Sequence, residues 1–491
     1  MNNSIKQIAS AIVVVSMIVG CGSPASPAPG SPSPSASTAV VVSSTPTAPA
    51  ESATASIPAR PSSAAPGSSA FRPIRASARE LSDQAPRLVP GQGGSLYVLI
   101  SVREGPAVLL LLDRSGRPRP GWPISIKDST SCGVPFPVAD GSVRIVCDAR
   151  DVPESESGEM DQRAFAFDAD GRLMDGWPVL VGPGSVGMGT ELRVAHEHFD
   201  DRAVTILSVA GDGTVRQSPP LGLSGVCCAG QWNVGPDGVA YGVGEPPENG
   251  GPRTVTGLEF SGAETEWSID VEGVGSAPAF GPAGEVLLTF ASDLKPRTRV
   301  TVLSHADRAV TSGAIPLTSA VRSDSTGECT VGVPDAPIVS QDGTIFIRSE
   351  LRPSIFALDA SLAVRAGWPF KPATPLATAT PGLESEHEAG YCPLSVEPAA
   401  GPDGTLVLSL EARNPTVGGS LVAVGKDGQV RPGWPVELKR NGSEFWAVTV
   451  GSDGTTYALA VEPEAGGKSS ESILAISPDS TVRYSTTIVD P

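Results

Sequence analysis

A chain of 491 residues with a formal charge of −18 lacks the basic surface that nucleic acids and anionic lipids require. Its 55 glycines and 48 prolines, with no long helical period in the body, point to all-β structure. The body is also too long for one ordinary domain unless that domain is a barrel or a ring of repeats.

The chain opens with Lys6 ahead of an apolar run, residues 11–20, too short to span a membrane as a stable helix. The run ends Ile18-Val19-Gly20-Cys21, which resembles the lipobox of bacterial lipoprotein signal peptides. The resemblance implies a signal peptide over 1–20, cleavage before Cys21, and acylation of that cysteine, palmitate included. It places the protein outside the cytoplasm, lipid-anchored to the bacterial membrane or cell surface. An ordinary secretory signal with a cysteine at its end is the alternative. Residues 21–70 consist almost wholly of Ser, Pro, Ala, Thr and Gly after the cysteine. Such a segment cannot bury enough apolar surface to offset chain entropy, so a disordered, extended tether is expected.

Residues 71–491 carry an internal repeat. The stretch 164–181 reads as a strand, the polar turn Asp168-Ala169-Asp170-Gly171, then Gly176-Trp177-Pro178 and a second strand. Near-copies occupy 110–126, 355–371 and 421–438. In all of them the Trp lies six positions after the turn residue: Gly116 and Trp122, Gly171 and Trp177, Leu362 and Trp368, Gly428 and Trp434. A second mark is a tight Gly-closed turn between apolar runs, closing at Gly94, Gly141, Gly189, Gly238, Gly284, Gly343, Gly404 and Gly454. The two marks alternate eight times, with the turn at Gly189 the faintest. Each unit then reads as four short strands, which predicts an eight-bladed β-propeller of four-stranded antiparallel blades. Seven blades would follow if the third unit were irregular. The last unit carries its own fourth strand, so an N-terminal strand is not needed for closure, although residues 71–74 are available as an extra edge.

The motif Ala166-x-Asp168, Gly171, Trp177, with a weaker form at Trp267, resembles the pyrroloquinoline-quinone-like propeller repeat. That resemblance implies either a quinoprotein dehydrogenase or a non-enzymatic envelope lipoprotein. The turn-to-Trp spacing is longer here, and Gly-Trp-Pro is a departure. Physically, Trp122, Trp177, Trp267, Trp368 and Trp434 offer large flat surfaces for packing one blade on the next. The proline after the Trp suits the start of an outer edge strand.

Six cysteines follow the anchor: Cys132, Cys147, Cys227, Cys228, Cys329 and Cys392. Export permits disulfides. Cys132 and Cys147 flank a hairpin and suit a cross-strand bridge; Cys329 and Cys392 sit at matching phases of successive units; the vicinal Cys227 and Cys228 form a ring or pair elsewhere. Sequence alone leaves the pairings open.

Antiparallel alternation puts the A–B and C–D turns on one face and the B–C and D–A connections on the other. The first set is uniformly short; the second varies and is acidic in places, as at Asp148, Asp151, Glu154, Glu156, Glu159 and Asp161. Loops that lengthen freely on a rigid scaffold are where binding resides. Chemistry is sparse. His196 and His198, two apart on a strand, could share a metal. Asp168-x-Asp170-Gly171 has the opening of a calcium loop without its remaining ligands. No nucleophile elbow, phosphate loop or dinucleotide fingerprint is usable. The expectation is therefore a monomeric envelope lipoprotein without catalysis or cofactor, binding a protein or polysaccharide through its long-loop face and no nucleic acid. The alternative is a quinoprotein-like or lactonase-like enzyme with calcium or pyrroloquinoline quinone in the central channel.

Overall fold

The computed structural model describes residues 86–101, 106–127, 129–149, 161–182, 184–189, 191–198, 203–222, 232–244, 252–269, 274–292, 295–304, 309–315, 336–349, 354–370, 398–410, 418–464 and 469–488. The chain divides into two compact units, Met1–Ala65 and Pro66–Pro491; the first, with the signal and most of the tether, lies outside the described residues. Residues 71–74 lie outside them too.

The second unit is an eight-bladed β-propeller of antiparallel sheets. In blade 1 the strands Arg87–Pro90, Leu96–Ile100, Ala107–Leu112 and Ile124–Ile126 pair in chain order from the inside outward. Blades 2 to 8 repeat this over 129–180, 185–222, 233–269, 274–315, 338–370, 399–437 and 444–488. The first strands of successive blades approach one another, which makes them the inner ring. Strand Leu96–Ile100 is buried at every residue because both faces of its sheet are covered by neighbouring blades. Successive side chains point to opposite faces, so each sheet feeds two apolar interfaces.

The seven-blade alternative is excluded, because the third unit forms a full sheet. Its inner hairpin, Ser185–Met188 with Leu192–His198, lacks the left-handed closing glycine found in the other units: Gly189 is not in the positive-φ region. Blade 6 shows three strands, Ile338–Val339, Ile345–Ser349 and Ser354–Leu358, its outer edge being two isolated bridges, Leu358 with Val364 and Ile355 with Phe370. There Ile355 N donates to Phe370 O at 3.1 Å and Phe370 N to Ile355 O at 2.9 Å. Blade 8 is built from its own four strands, Glu444–Val450, Thr456–Pro463, Ser469–Ile476 and Val482–Ile488. It closes the ring directly on blade 1: the Tyr457 hydroxyl donates to Gly94 O at 3.0 Å and Thr486 Oγ1 to Gly116 O at 2.7 Å. Tyr97 makes the equivalent bond from blade 1 to Gly141 O of blade 2 at 3.3 Å.

The Gly-Trp-Pro motifs stand where the sequence places them, ahead of the outer strand: Ile124–Ile126, Val179–Leu180 and Val436–Glu437 each begin at the residue after the proline. An isolated bridge comes before the motif. In blade 1 Pro118 pairs with Leu112 and Ile124 pairs with Leu109, so six steps on the outer strand oppose three on its neighbour. The excess residues loop out toward the next blade. Blade 4 lacks the motif, and its outer strand Glu264–Ile269 runs uninterrupted with strict alternation of exposed and buried residues. Trp267 is part of that regular ladder, opposite Val255, and packs into the apolar interface with blade 5.

Candidate binding cleft on the loop face

On the turn face most polar groups satisfy one another, Thr344 Oγ1 and Arg365 Nε of blade 6 being exceptions among the described residues. Each outward-looped Trp donates its indole N–H to the second residue of the next blade's C–D turn: Trp122 to Ala169 O at 3.2 Å, Trp177 to Gly211 O at 3.1 Å, Trp368 to Lys426 O at 3.1 Å and Trp434 to Pro478 O at 3.4 Å. The glycine before the Trp is required by this approach. A Cβ on Gly121 would lie 1.8 Å from Asp170 O, and one on Gly367 1.9 Å from Asp427 O. Blade 5 has no such motif, and the turn of blade 6 answers with Leu362, held at φ 63°, against Gly313 of blade 5.

The turns themselves are closed by aspartates. Asp113 Oδ1 accepts from Ser115 N at 2.8 Å, Ser115 Oγ at 2.6 Å and Arg117 N at 3.0 Å. Asp168 in the Asp-x-Asp-Gly turn does the same for Asp170 N and Arg172 N, both at 2.9 Å. Its Oδ1 is thus committed to closing the turn. Arginines on the outer strands reach back to the A–B turns. Arg431 meets Asp403 at 2.8 Å and Thr405 at 2.6 Å; Arg483 meets Asp453 at 3.3 Å and Thr455 at 2.7 Å. Burial pushes the Asp403 and Asp453 carboxyls up, but hydrogen bonds from Thr405, Thr455 and the two guanidiniums outweigh it and hold both below the usual carboxylate range.

The opposite face is different. A cavity of about 390 Å³ opens at the B–C and D–A ends of blades 1 to 3, where the rim includes Arg87, Cys132, Val134, Asp148, Gln162 and Val186. Strand Val143–Ala149 leaves the turn face at Val143, so Asp148 arrives at the loop-face end, and register pairs it with Gln162 at the start of Gln162–Phe167. Gln162 Nε2 donates to Asp148 Oδ1 at 3.2 Å. Burial pushes the Asp148 carboxyl up, and the Gln162 bond only partly offsets it. Cys132 and Cys147, opposite each other on adjacent strands, form a disulfide that makes one wall of the cleft. Val134 is 41% exposed at the rim.

Of the other residues singled out in the sequence, His196 and His198 occupy alternate positions of strand Leu192–His198. Among the described residues no group of three His, Cys, Asp or Glu side chains is placed to hold a metal. Cys21, Cys227, Cys228, Cys329 and Cys392 lie outside the described residues. Two features escaped the sequence reading. Gln162, next to the acidic connection that reaches Asp161, opens strand Gln162–Phe167. Trp446 is 39% exposed, whereas the other six tryptophans are buried. Trp446 is the extra residue of a bulge, between Phe445 opposite Ala460 and Ala447 opposite Leu459, at the loop-face end of the inner strand of blade 8. The bulge reverses the facing of the chain: Phe445 enters the interface with blade 7, and Ala447 that with blade 1.

No family model matches the chain, and no curated protein matches it. Among solved structures it is similar to virginiamycin B lyase from Staphylococcus aureus, at 12% identity over 68% of this chain and 93% of that one, with a TM-score of 0.39. It is similar to dipeptidyl peptidase 4 from Porphyromonas gingivalis at 10% identity, over 82% of this chain and 59% of that one, with a TM-score of 0.50. A eukaryotic initiation factor matches at 10% identity over 85% and 91%, with a TM-score of 0.46. At these identities the likeness is one of fold: the chain is a β-propeller protein.

Proposed function

We propose that this chain is a non-catalytic cell-envelope lipoprotein of the pyrroloquinoline-quinone-like repeat type, whose propeller docks a partner on its loop face. The observation that carries the reading is the asymmetry of the two faces. Turn-face aspartates and arginines pair with one another, whereas the cleft carries a half-buried carboxyl whose one described partner is a glutamine. Desolvated polar groups without matching partners in a concave site are what a ligand completes. Exposed Val134, lining the cleft in blade 2, and Trp446, at the loop-face end of blade 8, add the apolar and aromatic contact that interface centres favour. The lipid anchor is carried by the lipobox at Cys21 alone.

The test has two parts. Cys21→Ser should abolish acyl labelling and release the protein from the membrane fraction; retention of the label would remove the anchor. Capture from detergent-solubilised envelope should return a partner with the wild-type chain and with Val430→Arg on the turn face, and lose it with Val134→Arg. Equal capture by both variants would contradict docking on the loop face.

A further inference from the structure

The cleft of blade 2 holds two acceptors with too few donors. A carboxylate only accepts, so the Gln162–Asp148 contact fixes the glutamine with its NH₂ toward Asp148 and its carbonyl oxygen turned away. That oxygen, Gln162 Oε1, is buried and accepts no hydrogen bond among the described residues. Asp148 itself takes one described hydrogen bond, from Gln162, and burial disfavours its charge. A half-buried carboxylate with one described donor is poorly solvated, and a cationic donor entering the cleft is favoured accordingly. The surrounding wall is apolar: Val134, Phe136, Val146 and Val186. The cavity, at about 390 Å³, has room for more than one side chain.

We propose that this cleft receives the cationic end of a lysine or arginine side chain presented by a protein partner. Its N–H groups donate to Asp148, which Gln162 holds in place, and its aliphatic stem lies along Val134, Phe136 and Val186. Arg87 lines the same cleft and forms no ion pair with Asp148 among the described residues. It is therefore free to donate to a carbonyl of the partner's backbone, which favours a peptide over a free amine. The charge of −18 draws a basic partner in. This assignment rests on the proposal that the partner docks on the loop face, and gives that partner its chemistry.

The test is calorimetric titration of the full chain with three probes at fixed ionic strength: Nα-acetyl-lysine-N-methylamide, its norleucine counterpart, and n-butylamine. The lysine probe should bind at least tenfold more tightly than the norleucine probe, which keeps the stem and lacks the charge. It should also bind more tightly than n-butylamine, which lacks the peptide carbonyls. Asp148→Asn changes the net charge by only one unit, so general attraction is kept, yet it should weaken the lysine probe at least tenfold without lowering the melting temperature. Gln162→Met should weaken it several-fold. Equal binding of the lysine and norleucine probes, or unchanged affinity in Asp148→Asn, would overturn the assignment. Equal binding of n-butylamine would overturn the peptide as carrier. If envelope capture succeeds while the lysine probe fails, the basic side chain is excluded and loop-face docking stands; if both fail, both readings fall.

Discussion

On the turn face of blade 7, the Asp403 carboxylate lies 2.8 Å from Arg431 and is held below the ordinary carboxylate range despite burial. On the loop face of blade 2, Asp148 has one glutamine for company and is pushed up by burial. Both residues belong to the same kind of four-stranded unit. What differs is the partner the repeat supplies. The turn face recurs from blade to blade, so its aspartates meet threonines and arginines at repeating positions and its turn carbonyls meet the tryptophans. The loop face does not recur, and in the cleft of blade 2 Asp148 is left for something else to match. On the proposed reading, stability is concentrated on the first face and recognition on the second.

Mutations on the two faces should therefore act in opposite ways. The largest effect belongs to the interblade tryptophans. Trp177→Ala removes a buried indole and its bond to Gly211 O, and should cost about 3–5 kcal/mol in denaturant unfolding. Gly176→Ala should be of similar severity, since its Cβ would lie 2.1 Å from Asp212 O and its φ is +82°. A loss under about 1 kcal/mol for either would mean that the clasp is not structural.

Ring closure gives a smaller effect. Tyr457→Phe removes the hydroxyl that reaches Gly94 O across the last junction and should cost about 1 kcal/mol. Tyr97→Phe, which removes the same bond between blades 1 and 2, should match it. A much larger loss at Tyr457 alone would mark the closing junction as the weak seam of the ring.

The half-exposed arginine contacts come next. Arg431→Met and Arg483→Met should each cost less than about 1 kcal/mol, because solvent screens these pairs. They also set a pH dependence. Asp403 and Asp453 have folded-state pKa values lowered below their unfolded values. Their contribution is thus present above the unfolded carboxylate range, about pH 4, and is lost as pH falls below it. Thermal melts should show this acid loss in the wild type and a shallower one in the double Met variant. An unchanged acid slope would place the acid sensitivity elsewhere.

Asp148 should show no loss at all. Its folded pKa is raised, so its charged form is disfavoured on folding, and that penalty is present above the folded pKa and absent at low pH. Asp148→Asn should leave neutral-pH stability unchanged or slightly higher, as measured by melting temperature. A clear decrease would make Asp148 a structural residue and remove the contrast between the faces.

Much of this was legible in the sequence, because a repeat shows its own periodicity. Alternating turn marks defined eight units, and the faint one at Gly189 proved to be a hairpin closed without a left-handed glycine. The tryptophans at fixed spacing from a turn announced blade packing, although the looping-out of Gly-Trp-Pro appears only when the outer strand is paired with its neighbour. The cleft was not legible. Asp148 and Gln162 lie 14 positions apart, and only the register of the second and third strands of blade 2 brings them together. Trp446 likewise depends on a bulge, and nothing in its neighbours Phe445 and Ala447 signals that one residue between them drops out of the ladder. Recurring features can be read along a chain; a site made from departures needs the pairing itself.

Site-specific photocrosslinking in intact cells tests the central claim most directly. A photoreactive residue replacing Val134 at the rim of the cleft is compared with one replacing Val430, equally exposed on the turn face, at 41% and 42%. The account predicts a discrete adduct from position 134, lost on adding Asp148→Asn, and none from position 430. An adduct from position 430 alone would place recognition on the turn face and contradict the division of labour between the two faces.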